Sequence, residues 1–454
     1  MKFRRSTALI IAKILVKILR ITGRGGTSLP GKLALLIYPA LLSDLAFNTE
    51  AIIVTGTNGK TTTSRMISEI LKNAGLSFFE NKSGANLISG ITTSFIENHH
   101  LNCQYAVIEC DEAAFKTVSK HLNAKYILVT NLFRDQLDRY GEITHTLNNI
   151  LEGIKNCKEA TVSLNADCSL SSSLKDSISN HVIFYGVDIP LENTDETLSD
   201  APYCIKCKSR YHYSFRTYGH LGGFYCPSCG YKRTQPDVSV IDILSVGKCD
   251  SKIVVSMNNT TYQAVVNLPG EYNIYNALAA LSVGIAMSVN EQSMIDSLST
   301  FTGGFGRMEN IILNHVDTHI ILVKNPAGLN GVIRYLSNLN DEMILTIVLN
   351  DKFADGTDVS WIWDADFENL IRIMDRIKMI YVAGIRYDDM ALRLKYAGID
   401  QSKIFKVNNY NQLIDEISDD KYKNTASYVL PTYTAMFDLR LKLTKKFKLK
   451  NFWK

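Results

Sequence analysis

Residues 52–63 read Ile-Ile-Val-Thr-Gly-Thr-Asn-Gly-Lys-Thr-Thr-Thr, and no other stretch restricts the fold as much. An apolar run ends in a Gly-rich loop, then a lysine, then hydroxyls. A helix-like stretch over 62–74 follows, with Gly75 placed to end it. Strand, loop and helix in that order make a nucleotide phosphate-binding loop. Gly56 and Gly59 let backbone N–H groups turn inward onto phosphate oxygens, with Thr57 and Asn58 between them. Lys60 adds a point charge for the β- and γ-phosphates, and Thr61 or Thr62 is placed to hold Mg²⁺. The general P-loop has Gly where this chain has Val54, so the loop is a variant.

Short β-like runs alternate with helix-like stretches beyond the loop. Residues 105–110, 125–132, 160–164 and 181–187 read as buried parallel strands, the logic of a doubly wound sheet. From about residue 188 to 237 the chain turns polar and rich in Gly, Ser and Tyr. Residues 238–268 read as short antiparallel strands, and helices follow at 274–287 and 291–300. A second α/β alternation begins after residue 310. Its strand candidates are 319–323, 343–349, 379–383, 404–407 and 427–430, and a last helix runs from Thr432 into a Lys-rich tail. The fold class is therefore α/β. A basic amphipathic segment is expected over 1–48, a nucleotide-binding domain over 49–309 with an insertion at 188–237, and a C-terminal Rossmann-like domain over 310–454.

The 454 residues allow two or three domains with full cores. The net charge of +4 hides an uneven distribution. The first 32 residues carry eight basic groups and no acid, and the last 15 carry seven basic groups and no acid. The 407 residues between them have a net charge of −11. Basic ends on an acidic body suit an anionic surface. Residues 8–21 are apolar except at Lys13, Lys17 and Arg20, which with Arg24 fall on one helical face. That run is too short to span a bilayer. Two readings stay open: a helix packed on the body with its basic stripe in water, or a helix lying in a membrane interface.

Cys204-Ile-Lys-Cys207 and Cys226-Pro-Ser-Cys229 form two short-spaced pairs separated by 18 residues. Such pairs make a Cys₄ zinc ribbon. Four thiolates leave no position for water, so a structural Zn²⁺ is expected, stapling an insertion too small to bury its own core. Basic residues lie nearby, but the acidic body argues against nucleic acid.

These residues together resemble the Mur ligase family, which makes amide bonds through acyl phosphates. Thr55-Gly56-Thr57-Asn58-Gly59-Lys60-Thr61 is similar to that family's own phosphate loop. Val107-Ile108-Glu109 ends a strand where the family has a Mg²⁺-binding Glu. Thr130-Asn131-Leu132-Phe133-Arg134-Asp135-Gln136-Leu137-Asp138-Arg139-Tyr140-Gly141 resembles its second metal motif, and Asn165-Ala166-Asp167 follows as in the family. Tyr272-Asn273-Ile274-Tyr275-Asn276 looks like the adenine-contacting motif, and Gly306-Arg307-Met308-Glu309 like the motif near the ribose. The resemblance thus implies ATP on the loop with Asn273, Asn276 and Arg307, and Mg²⁺ on Thr61 and Glu109. It assigns Lys60 and Glu109 to catalysis.

Two departures stand out. Gln136 replaces a family His that helps bind a second Mg²⁺. Counting back from Asn165 to the family's carbamylated Lys reaches Glu152, which on this reading supplies the carboxylate directly. The C-terminal third is more distinctive. Leu322-Val323-Lys324-Asn325-Pro326-Ala327-Gly328 stands where most of the family has a segment that holds the incoming amino acid. With Ala354-Asp355-Gly356-Thr357-Asp358-Val359-Ser360-Trp361-Ile362-Trp363-Asp364, it resembles one subgroup of the family. Membership of that subgroup implies amidation of the α-carboxylate of D-isoglutamate in the lipid II stem peptide. It implies ammonia from a separate GatD-type glutaminase in a heterodimer, and work in the cytoplasm, at the inner face of the membrane that holds lipid II. Asp355, or else Asp358, is expected to complete the glutaminase's Cys–His dyad.

Two other readings compete: a conventional amino-acid-adding ligase of the Mur or folylpolyglutamate type, and a nucleotide-bound docking scaffold. Loss of the amino-acid segment weighs against the first. Retention of Lys60 and Glu109 weighs against the second.

Overall fold

The computed structural model describes residues 2–21, 27–81, 84–134, 143–190, 200–304 and 306–449. The chain divides into two compact units, and the C-terminal stretch of the second begins at Thr302.

The first unit opens with three helices, α1 (Lys2–Ile21), α2 (Leu29–Ile37) and α3 (Leu41–Ala46). The apolar run 51–55 then becomes β1 (Glu50–Thr55), buried on both faces as a central parallel strand must be. α4 (Lys60–Asn73) follows the loop and buries Met66, Ile67, Ile70 and Leu71. Gly75 ends α4 with φ +70: its N–H bonds the Lys72 carbonyl, and the Leu76 N–H bonds that of Leu71. Those two bonds satisfy carbonyls that the helix end leaves open.

Next come β2 (Phe78–Glu80), α5 (Ile88–Asn98), β3 (Tyr105–Glu109), α6 (Glu112–Val118), β4 (Asn123–Val129) and α7 (Ile143–Lys155). β5 (Thr161–Asn165), α8 (Ser169–Ser173) and β6 (Val182–Val187) complete the alternation. The short hairpin β7 (His212–Arg216) and β8 (Gly222–Tyr225) belongs to the cysteine-rich insertion. β9 (Val238–Val246), β10 (Ser251–Met257) and β11 (Thr260–Val266) then extend the main sheet, before α9 (Glu271–Ala286) and α10 (Glu291–Thr300). The nine-stranded sheet has the order β11-β10-β9-β6-β5-β4-β1-β3-β2. The run β9-β6-β5-β4-β1-β3-β2 pairs in parallel, and β10 pairs antiparallel with both β9 and β11. The four parallel strands read from the sequence match β3, β4, β5 and β6.

The second unit holds a six-stranded sheet. β12 (Arg307–Leu313) and β13 (Val316–Ile321) pair antiparallel. β14 (Met343–Val348), β15 (Ile377–Ala383), β16 (Ile404–Lys406) and β17 (Ala426–Pro431) join in parallel, in the order β12-β13-β17-β14-β15-β16. Four helices accompany them: α11 (Pro326–Ser337), α12 (Tyr387–Tyr396), α13 (Tyr410–Ile417) and α14 (Tyr433–Phe447). One apolar cluster gathers Leu329, Leu336, Phe367 and Leu394, and another gathers Leu413, Ile414, Leu439 and Leu443. β12 begins before residue 310, the limit expected from sequence, because Arg307–Leu313 zips onto β13 as a hairpin.

Candidate active site

β1, β3, β4 and β5 run in parallel, so the loops that leave them open at one edge of the sheet, where α/β sites form. The phosphate loop leaves β1. Gly56 and Gly59 adopt φ +119 and +85. A Cβ at Gly56 would lie 2.3 Å from Thr130 Oγ1, and one at Gly59 would lie 2.0 Å from Asn276 Oδ1. Backbone angle and space both require glycine there.

Lys60 is the first residue of α4, and its ammonium is buried. It donates to the Gly56 carbonyl at 2.5 Å, to the Thr57 carbonyl at 3.3 Å and to Glu112 Oε2 at 3.1 Å. Glu112 reaches Lys60 because Asp111 caps α6, accepting from the Ala113 N–H, and starts the helix there. The next residue, Thr61, donates its hydroxyl to Glu109 Oε2 at 2.7 Å. Glu109 ends β3, and the Asn81 amide grips both its N–H and its carbonyl. Hydroxyl and carboxylate oxygens side by side at the foot of a phosphate loop are the hard donors that Mg²⁺ takes. Thr62 is buried within the first turn of α4.

The strand β4 supplies a clasp for the loop. Asn131 receives the Asn58 N–H on its side-chain oxygen at 3.0 Å and donates its amide to the Asn58 carbonyl at 3.2 Å. The Thr57 hydroxyl bonds both the carbonyl and the N–H of Phe133, at 3.2 and 3.1 Å. Asn165, from β5, ties the clasp down by donating to the Thr130 carbonyl at 3.0 Å. Asp167 is fully buried and collects Arg233 at 2.5 Å, the Tyr275 hydroxyl at 2.7 Å and the Val187 N–H at 2.8 Å. One carboxylate thereby joins the main sheet, the end of the insertion and α9.

In the insertion, all four sulfurs of Cys204, Cys207, Cys226 and Cys229 lie within 4.8 Å of one another. Each pair sits in a knuckle: the Lys208 N–H bonds the Cys204 carbonyl, and the Gly230 N–H bonds the Cys226 carbonyl. Tyr211, Phe224 and Tyr231 pack beneath. This cluster has the residue set and spacing to bind zinc.

In the second unit, Asp355 follows β14 and is buried. Its carboxylate accepts the Thr434 N–H at 2.7 Å, the Thr434 hydroxyl at 2.5 Å and the Lys352 N–H at 3.2 Å, so it caps the first turn of α14. Asp358 is exposed and accepts the Ser360 N–H at 2.8 Å. Asn325 caps α11 through the Gly328 N–H.

A model of the Mur ligase middle domain matches residues 54–216, and a model of the MurT ligase C-terminal domain matches residues 322–436. The subunit MurT of lipid II isoglutaminyl synthase (glutamine-hydrolyzing) from Streptococcus pneumoniae is 36% identical over 427 residues, covering 92% of each chain. The subunit of the same name from Staphylococcus aureus strain COL is 34% identical, covering 98% of this chain and 99% of the relative. The chain belongs to the MurT family of Mur ligases. Its fold resembles that of Mycobacterium tuberculosis folylpolyglutamate synthase complexed with ADP and AMPPCP, with a TM-score of 0.63 at 13% identity, covering 96% of this chain and 98% of the other.

Within this MurT chain, the residues singled out in the loop converge as a group: Gly56 through Thr61 with Glu109. Asn276 also meets the loop, but through Gly59 and the Thr63 hydroxyl, and its amide holds Asn273. Both asparagines are buried, and the Asn276 side chain braces α4. The Arg307 side chain and residues 135–142, including Gln136, lie outside the described residues. Glu152 faces outward on α7 and pairs with Lys155 at 3.3 Å. Ile150 and Ile154 take the buried face, so the helix turns Glu152 into solvent rather than toward the loop. Sequence reasoning passed over Glu112, Asn131, Phe133 and the Asp167–Arg233–Tyr275 cluster. Asn131, Phe133, Asp167 and Tyr275 lay inside quoted motifs, next to residues assigned to metal or nucleotide, whereas Glu112 and Arg233 lay outside them.

Proposed function

We propose that this chain is the ATP-dependent subunit that amidates the α-carboxylate of D-isoglutamate in the lipid II stem peptide. The observation that carries the reading is a phosphate loop with Lys60, Thr61 and Glu109 in register, in a chain whose C-terminal domain is of the MurT type. A carboxylate oxygen leaves poorly, so ammonia does not displace it. Transfer of the γ-phosphoryl group from ATP to that oxygen gives an acyl phosphate and ADP. Ammonia then attacks the carbonyl carbon, phosphate leaves with the C–O electron pair, and a proton is lost to give the amide.

The loop N–H groups and Lys60 neutralise charge spreading over the phosphoryl oxygens. Thr61 and Glu109 would hold Mg²⁺, which supplies further charge neutralisation when bound. Asn273, Asn276 and Arg307 are the nucleotide-side residues of this reading. The four cysteines would hold a structural Zn²⁺, since they leave no open coordination position.

Free ammonia is scarce at neutral pH, so a GatD-type glutaminase subunit is the proposed partner. Asp355, with Asp358 as the alternative, would orient the glutaminase's His and stabilise its charged form. The lipid-linked acceptor puts the reaction at the inner face of the cell membrane, and no helix among the described residues is long and apolar enough to cross one.

The test is ATP hydrolysis by the full chain with lipid II and ammonium. The reading expects turnover that needs both, and that Lys60→Ala abolishes. Turnover unaffected by ammonium but stimulated by an amino acid would replace this reading with a conventional ligase.

A further inference from the structure

α1 has one face on the body of the first unit and an opposite face that no described element covers. Ala8, Ala12 and Val16 are buried against α2 and α5, and Arg5 and Arg20 pair with Asp44 at 3.5 Å and Glu97 at 2.7 Å. With about 3.6 residues per turn, Phe3, Ile10, Ile14, Ile18 and Ile21 fall on the side opposite that packed face. Their exposures run from 51% to 85%. A helix packed on a globular body normally turns polar groups outward. This one turns out a line of large apolar side chains, roughly 27 Å long at 1.5 Å per residue.

The residues flanking that line are basic. Lys13 and Lys17 are exposed along one side of it and Arg4 on the other, and α1 contains no acidic residue. A straight apolar ridge with lysines beside it matches a planar boundary between anionic headgroups and acyl chains, where Lys stems lie along the apolar layer and the ammonium groups reach the phosphates. The charge distribution selects the same surface: residues 33–439 carry a net charge of −11 and are repelled by an anionic layer, whereas the N-terminal segment is attracted.

We propose that the outward face of α1 docks the chain on an anionic phospholipid bilayer, with the helix axis parallel to the surface. This rests on the reading that the acceptor is lipid-linked, and adds how the chain reaches it. The apolar ridge enters the headgroup boundary, while the Ala8–Ala12–Val16 face keeps the helix attached to the first unit.

The experiment is co-sedimentation of the full chain with vesicles of phosphatidylcholine alone, or of equal parts phosphatidylcholine and phosphatidylglycerol. The wild-type chain is expected to bind the second kind, to lose affinity as salt rises, and to bind the first kind weakly. Ile10→Asn, Ile14→Asn and Ile18→Asn in one chain should weaken binding by about tenfold or more, because each removes apolar area from the boundary. Those sites are exposed, so the melting temperature should not move. Lys13→Gln with Lys17→Gln should weaken binding to the anionic vesicles only.

Absence of vesicle binding by the folded wild-type chain overturns the proposal, as does equal binding by the triple variant. A dimer in light scattering that the triple variant dissociates also overturns it, since the ridge is then an interface between copies. Amidation of detergent-solubilised lipid II should be the same in the triple variant and the wild type. If neither amidates yet vesicle binding follows the ridge, the functional reading fails and the docking face stands.

Discussion

The ring of Phe133 lies 4.5 Å from the imidazole of His220, centroid to centroid, while the Phe133 backbone bonds the Thr57 hydroxyl. One residue thus touches the phosphate loop with its main chain and the cysteine-rich insertion with its side chain. Tyr218 packs on the same ring at 5.3 Å. The insertion therefore buttresses the loop clasp as well as forming a candidate metal site.

Removing metal from the cysteine cluster should loosen nucleotide binding as well as unfold the insertion. The small apolar set beneath the cysteines does not hold the insertion alone. Chelator titration, followed with a fluorescent nucleotide, is expected to show both losses together. Intact nucleotide affinity in a chelated chain with a melted insertion would uncouple the two.

Phe133→Ala should act in the same direction without touching the cysteines. Truncating a buried Phe costs about 3–5 kcal/mol, and Phe133 is buried. The expected outcome is a lower urea midpoint and a raised KM for ATP.

The Lys60–Glu112 pair should be strongly coupled. Glu112→Gln removes the negative charge that faces the buried Lys60 ammonium, at a cost of about 3 kcal/mol. Lys60→Met removes the cation beside the buried Glu112 carboxylate, at a similar cost. The double variant should recover part of the stability while remaining inactive, which urea unfolding of all four chains measures.

Protonation of His220 should destabilise the first unit. Burial pulls its pKa down to about 4, so the folded protein binds this proton more weakly than the unfolded chain does. Stability from this group is fully present above the unfolded value near 6.5 and is lost as pH falls toward 4, with about 2 kcal/mol gone by pH 5. Replacing His220 with Asn should flatten that part of the stability-versus-pH curve.

The two candidate aspartates should separate by nitrogen source. A carboxylate that orients the glutaminase's His matters only when glutamine supplies the nitrogen. Asp355→Asn is expected to lower glutamine-dependent amidation at least about tenfold while ammonium-dependent amidation persists. Asn keeps an oxygen to accept the Thr434 N–H, so the α14 cap persists in Asp355→Asn, whereas Asp355→Ala should lose about 1 kcal/mol of stability. Asp358→Asn showing the larger glutamine-specific loss would reassign the role.

Much of this was legible in the sequence because local chemistry settled it. The loop 56–61 needs glycine where φ is positive, and β1 needs an apolar run to lie between β3 and β4. The paired cysteines announced their cluster through spacing alone. Sequence spacing failed where helix phase decides the outcome: counting reached Glu152, but α7 turns it outward. It also gave no sign of which motif residues brace the site. Asn131, Asn165 and Asp167 are distant in sequence from the backbone they hold, and only the parallel register of β1, β4, β5 and β6 brings them together.

Mass spectrometry of the product tests the central claim most directly. Lipid II would be incubated with the full chain, Mg²⁺-ATP and ammonium chloride, and in parallel with free amino acids. The account predicts replacement of one carboxyl OH by NH₂, dependent on ATP and absent with Lys60→Ala. Addition of an amino-acid residue would contradict it.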